Sequence, residues 1–125
     1  MTVALWCVLV AALLHLPFTL AAKWSRRFDN ARPRDYMDQL DGWRKRAHWS
    51  QLNMIEAFPV FAAAVLTAHI VAGPQRAADG LAIAFVLLRL AYGVCYVADQ
   101  ATLRSLMWMG ALGCSVGLFI VAATA

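Results

Sequence analysis

Four long apolar stretches divide the chain: Val3 to Ala22, Met54 to Ala72, Leu81 to Ala98 and Ser105 to Thr124. A helix needs about 20 mostly apolar residues to cross the hydrocarbon core of a bilayer, and each stretch is close to that length. The first and last hold no charged residue, the second holds only Glu56, and the third only Arg89. Ala, Leu and Met dominate, and the two-residue alternation of a barrel strand is absent, so the pattern predicts four spanning helices. Nothing basic precedes the first stretch, and its apolar part is too long for the core of a signal peptide, so it is read as a span.

The connections are short except the first, a polar segment from Lys23 to Trp49. Gly73-Pro74 ends the second helix and begins a turn before Leu81, and Asp99 to Arg104 joins the third helix to the fourth. Pro17 and Pro59 are expected to kink their helices.

Composition agrees with a single membrane domain over residues 1–125: 62% of residues are hydrophobic and 14% charged, which excludes a disordered chain and argues against a soluble enzyme with a polar shell. Charge placement then gives an orientation. Of the eleven Lys and Arg residues, eight fall between Lys23 and Trp49, opposed there only by Asp29, Asp35, Asp38 and Asp41. The positive-inside rule makes that loop cytoplasmic, with both termini outside and the Asp99 to Arg104 connection inside.

The net charge of +4 does not point to nucleic acid, because the basic residues flank a membrane and are interleaved with aspartates. Arg26, Arg27, Arg32 and Arg34 read as headgroup contacts. Cys7, Cys95 and Cys114 lie far apart inside apolar stretches, and His15, His48 and His69 show no ligand spacing, so neither a disulfide framework nor a metal site is indicated. Short loops and compactness suggest a bacterial inner membrane.

The two charges within the bilayer carry the most information, since an unpaired Glu or Arg there is expensive and is kept from lipid. At 1.5 Å per residue from the cytoplasmic ends, Glu56 lies on the order of 10 Å deep and Arg89 about 14 Å deep, which allows a bridge between helices two and three. Such a pair by itself would only specify packing. Its neighbours argue for more. Arg46, Ser50, Asn53 and Glu56 are spaced by four, three and three residues and form one helical stripe; Arg89, Tyr92, Tyr96 and Asp99 form another. Arg104 and Ser105 enter from the same side. Polar groups ordered by depth predict a binding cleft open to the cytoplasmic face.

Such a cleft suits a polyanionic ligand. Arginines would clamp carboxylates, Glu56 would hold an ammonium or orient Arg89, Asn53 would bond an amide, and the tyrosines would donate hydroxyls or stack. For a ligand with a thiol, Arg104 and Ser105 would favour the thiolate, lowering a pKa that starts at about 8.5 by roughly one to two units.

The stretch Arg46-Ala47-His48-Trp49-Ser50-Gln51-Leu52-Asn53-Met54-Ile55-Glu56-Ala57-Phe58-Pro59 resembles the second helix of the MAPEG family, the membrane-associated proteins of eicosanoid and glutathione metabolism, with its Arg followed by Asn-x-x-Glu-x-x-Pro. Arg89-Leu90-Ala91-Tyr92-Gly93-Val94-Cys95-Tyr96 and Arg104-Ser105 resemble the family's third and fourth helices. The resemblance spans the chain in order.

It implies an all-α, left-handed up-down four-helix membrane bundle assembled as a homotrimer, with glutathione as co-substrate held between neighbouring subunits near the cytoplasmic face. By position, Arg46, Asn53, Glu56, Arg89, Tyr92 and Tyr96 would bind glutathione, and Arg104 with Ser105 would stabilise its thiolate. Lys23, Arg26 and Arg27 are candidates for a further basic contact. The implied function is a glutathione transferase or peroxidase acting on hydrophobic electrophiles or lipid hydroperoxides. The alternative is a non-catalytic lipid-binding or accessory subunit of the same fold, since this chain has Trp49, Gln51 and Leu52 where the best-known eicosanoid enzymes carry further basic residues. Tyr92 stands where some members have His. The small-residue motif Gly113-Cys114-Ser115-Val116-Gly117, together with Gly110, suits close helix contact within or between protomers.

Overall fold

The computed structural model describes all 125 residues. It is entirely helical: α1 (Val3–Leu13), α2 (His15–Lys23), α3 (Pro33–Asp38), α4 (Gly42–Ala72), α5 (Arg76–Val97) and α6 (Ala101–Ala123). Taken as one rod, α1 and α2 are long and apolar enough to cross a membrane, as are α4, α5 and α6 separately.

The break between α1 and α2 has a local cause. Proline lacks an N–H, and its ring crowds the carbonyl four residues earlier. For Pro17 that carbonyl belongs to Leu13, the last residue of α1, and Leu14 N–H bonds instead to Ala11 O at 3.4 Å. His15 patches the gap by placing Nδ1 3.0 Å from Ala12 O. Pro59, by contrast, lies inside α4 without ending it.

The inward faces are not legible from hydropathy, because the helices are apolar all round. Side-chain size separates them. Ala4, Cys7 and Ala11 of α1, Ala64 and Ala68 of α4, Ala78 and Ala82 of α5, and Ala111, Cys114 and Ala122 of α6 are buried together around Phe61, Val65, Phe85 and Leu118. The rings of Phe61 and Phe85 stack with centroids 3.8 Å apart. Large aliphatics such as Leu9, Leu13, Ile70, Leu87 and Ile120 point outward. Without a hydrophobic drive between helices in lipid, small residues are what let backbones approach and gain van der Waals contact.

Gly93 is the tightest such approach. A Cβ there would enter the van der Waals shells of Phe18 Cζ and Met54 Cε, so α2, α4 and α5 meet at this point. Gly110 and Gly117 of α6 face Leu88 and Leu81 of α5, while Gly113 faces open space. Two of the three α6 glycines therefore serve contact within the protomer.

The polar loop is more structured than its composition predicts. Its middle forms α3, opened by Pro33 in the first turn with Asp35 beside it, where a missing N–H costs nothing and a carboxylate suits the dipole. Its end is already helical, since α4 starts at Gly42, well before the apolar stretch. Arg44 Nη2 donates to Trp24 O at 3.0 Å, Lys45 Nζ to Asp38 O at 2.7 Å, and Tyr36 Oη to Ala22 O at 3.4 Å. These bonds fasten the loop beneath the ends of α2 and α4. At the opposite end of the bundle, Asp79 Oδ1 accepts the Ala4 N–H at 2.7 Å, which ties the start of α1 to the first turn of α5.

Candidate functional site

Helical spacing places Asn53 and Glu56 of α4, Arg89, Tyr92 and Tyr96 of α5, and Arg104 and Ser105 of α6 around one region of the bundle. Arg89 is its deepest member, 2% exposed. Its Nη2 donates to Asn53 Oδ1 at 2.9 Å, and Asn53 Nδ2 donates to Glu56 Oε2 at 3.2 Å. The direct Glu56–Arg89 bridge expected from depth is thus replaced by a relay through Asn53. The chain's one ion pair is the exposed Arg32–Asp35 contact. Asn53 lies one turn before Glu56 on the same face and reaches the guanidinium first, leaving the Glu56 side chain exposed on the protomer surface.

A second chain of contacts runs toward the loop end. The Arg89 guanidinium lies 4.2 Å from the Tyr92 ring centroid, Tyr92 meets Tyr96 edge-on at 5.7 Å, and the Arg104 guanidinium lies 4.5 Å from the Tyr96 ring. Each cation faces the electron-rich side of a ring. Two positive charges are held apart yet coupled through two tyrosines.

Two adjoining hollows open along this ladder. One, of about 430 Å³, is lined by Asn53, Tyr92, Tyr96, Arg104 and Ser105 together with Trp108 and Met109. The other, of about 390 Å³, is bounded by Trp49, Leu52, Asn53, Glu56, Tyr92 and Tyr96. Both lie in the size range of small-molecule sites.

Two expected members sit elsewhere. Arg46 Nε donates to Val97 O at 3.2 Å, so this side chain caps the C-terminal end of α5, where a cation also suits the helix dipole. Ser50 is fully buried, with its hydroxyl unpartnered. Trp49 is exposed, and its ring centroid lies 6.4 Å from that of Tyr96.

A polar cluster that the stripe spacing does not mark lies on another side of α4. Gln51 is buried; its Oε1 accepts from Thr19 Oγ1 at 3.2 Å, and its Nε2 lies 3.1 Å from His48 Nδ1. These three, with Lys23, Arg34 and Asp38, line a hollow of about 600 Å³ between α2, α3 and α4. Gln51 and Asn53 are two residues apart, hence roughly 200° apart around the helix. The available signal was Gln51, a polar residue off the stripe that Arg46, Ser50, Asn53 and Glu56 share.

No curated protein sequence matches the chain. The sequence model of the MAPEG family matches residues 3–124 of the 125. The polar set lies on three of the four spanning-length helices, and the family match covers all four: this chain is a member of the MAPEG family.

Proposed function

We propose that the protein is a membrane glutathione transferase or peroxidase, acting on hydrophobic electrophiles or lipid hydroperoxides that reach it through the bilayer. The observation that carries this reading is Arg104, stacked on Tyr96 beside Ser105 and sharing a hollow of about 430 Å³ with Asn53 and Tyr92. A guanidinium and a hydroxyl beside a bound thiol favour its ionised form, and the thiolate is the nucleophile. Asn53 and the tyrosines offer hydrogen bonds to the peptide, and Arg89 holds Asn53 in place. On an electrophile, a sulfur–carbon bond forms as the leaving group departs. On a hydroperoxide, the thiolate takes the outer oxygen and releases the alcohol, and a second glutathione displaces water to give the disulfide.

The reading includes assembly as a homotrimer. Glu56 is exposed on the protomer surface at membrane depth, where a carboxylate facing lipid is costly. The Asn53 hollow and the Gln51 hollow lie on different sides of α4, so a cyclic assembly would bring one against the other around a shared ligand, with Lys23 as an added cation. The eight basic residues between Lys23 and Trp49 favour a cytoplasmic site with both termini outside, and the short loops and compactness favour an inner membrane of bacterial type.

One set of positions favours the second reading, a lipid-binding or accessory subunit. Trp49 and Leu52 are apolar and exposed, and Gln51 is engaged with Thr19 and His48. Turnover separates the two. Purified protein in vesicles, given glutathione and an activated aryl chloride, is expected to form the thioether, and Arg104→Ala to slow it about 10- to 100-fold. Neither turnover nor glutathione binding in correctly folded protein would favour the accessory role.

A further inference from the structure

The net charge of +4 resides entirely in one segment. Eight basic and four acidic residues lie between Lys23 and Trp49, and the rest of the chain balances at three of each. The structure sorts those eight cations. Arg44 donates to Trp24 O, Lys45 to Asp38 O and Arg46 to Val97 O. Arg32 pairs with Asp35, while Lys23 and Arg34 line the hollow beside Gln51. Arg26 and Arg27 remain, both exposed, with no hydrogen bond or ion pair from either side chain.

The backbone holds these two in place. Phe28 N–H donates to Ser25 O at 3.2 Å, closing a turn in which Arg26 and Arg27 are the central residues, and Ser25 Oγ accepts the Arg27 N–H at 3.2 Å. Phe28 meets the Tyr36 ring edge-on at 5.2 Å, and Tyr36 bonds to Ala22 O, so the turn is tied to both α2 and α3.

The turn also lies at a membrane border. Arg44 reaches the residue that follows α2, and Arg46 reaches the last residue of α5, so both apolar helices end at the level of one turn of α4. Two exposed tryptophans mark this level: Trp24, 78% exposed and two residues before Arg26, and Trp43, whose ring centroid lies 4.6 Å from the Arg44 guanidinium. Indole rings favour the headgroup layer, and guanidinium groups fork onto phosphate oxygens. Two uncommitted guanidiniums beside an exposed indole complement a phosphodiester whose acyl chains run along the exposed Leu16 and Leu20 of α2.

We propose that Trp24 and the Ser25–Phe28 turn form a site for the headgroup of an anionic phospholipid of the surrounding bilayer, with Arg26 and Arg27 on its phosphate. The inference is independent of the proposed reaction and is measured without glutathione.

The full-length protein in detergent is mixed with equal amounts of phosphatidylglycerol and phosphatidylcholine of the same chains, and the lipid that stays with the protein through gel filtration is extracted and quantified. Phosphatidylglycerol should be retained about tenfold over phosphatidylcholine, since each basic residue near an anionic headgroup contributes about fivefold. Arg26→Gln combined with Arg27→Gln should bring that ratio to within about twofold of one, and Trp24→Ala should lower retention of both lipids. Arg32→Gln combined with Arg34→Gln removes the same charge from the same loop and should leave the ratio unchanged. Inorganic phosphate should displace no more lipid than sodium chloride of equal ionic strength. A native ratio near one, retention untouched by Trp24→Ala, equal loss of preference in the two double variants, or selective displacement by inorganic phosphate would each overturn the proposal, the third by showing diffuse attraction and the last by showing a site for a free anion. Loss of glutathione turnover alongside the normal lipid preference would count against the proposed reaction and leave this site standing.

Discussion

Arg89 and Asn53, on separate helices and 36 residues apart, share a 2.9 Å hydrogen bond that is the only one leaving the buried guanidinium. It joins α5 to α4 at the depth where the polar relay to Glu56 begins. A charge buried in a bundle depends on such a partner, because removing it leaves the ion uncompensated.

Asn53→Leu should therefore destabilise the protein by about 3 kcal/mol, read as thermal unfolding by circular dichroism in detergent. Pairing it with Arg89→Met should recover most of that loss, since the double change removes the charge along with its partner. Additive losses in the double variant would show that the bond contributes little to stability.

The glycines differ sharply in their surroundings. Gly93→Ala forces a methyl into Phe18 and Met54 and should cost about 1–3 kcal/mol, part of which Phe18→Leu should return. Gly113→Ala meets open space in the protomer, and there the gain in helix propensity should offer up to about 1 kcal/mol. The same thermal unfolding assay, with assembly followed by light scattering, checks both. A change in oligomer size on Gly113→Ala would place that face between protomers.

Asp99 has a backbone φ of 60° in the turn after α5, a conformation that side chains with a Cβ rarely adopt. Asp99→Gly should raise stability by about 0.5–1 kcal/mol, and Asp99→Val should lower it by about 1–2 kcal/mol. Unfolding midpoints that rank Val above Gly would contradict the turn geometry.

Much of the fold was legible because bilayer thickness imposes a length that hydropathy can count. The early start of α4 escaped that count: Gly42 to Gln51 is rich in basic residues and Trp, and only the spacing from Arg46 to Glu56 hinted at a helix. The six-residue α3 was too short for any periodicity and was marked only by Pro33 and Asp35. At the site, spacing brought Asn53, Glu56 and Arg89 together but could not rank them, because one helical turn of depth separates a direct ion pair from a relay. Arg46 shared the stripe, yet its side chain ends on Val97 O, a partner set by how α4 crosses the end of α5. The Thr19–Gln51–His48 cluster required the position of α2, and Gly93 carried no motif to distinguish it from a neutral helical glycine.

Arg104 and its neighbours are proposed to hold a glutathione thiolate, and ultraviolet thiolate absorbance of the purified protein on adding glutathione at neutral pH tests this most directly. The native protein should show a saturable thiolate signal, and Arg104→Ala should lose most of it while remaining folded and assembled. An intact native assembly that gives no thiolate signal, or an Arg104→Ala signal equal to the native one, would contradict the account.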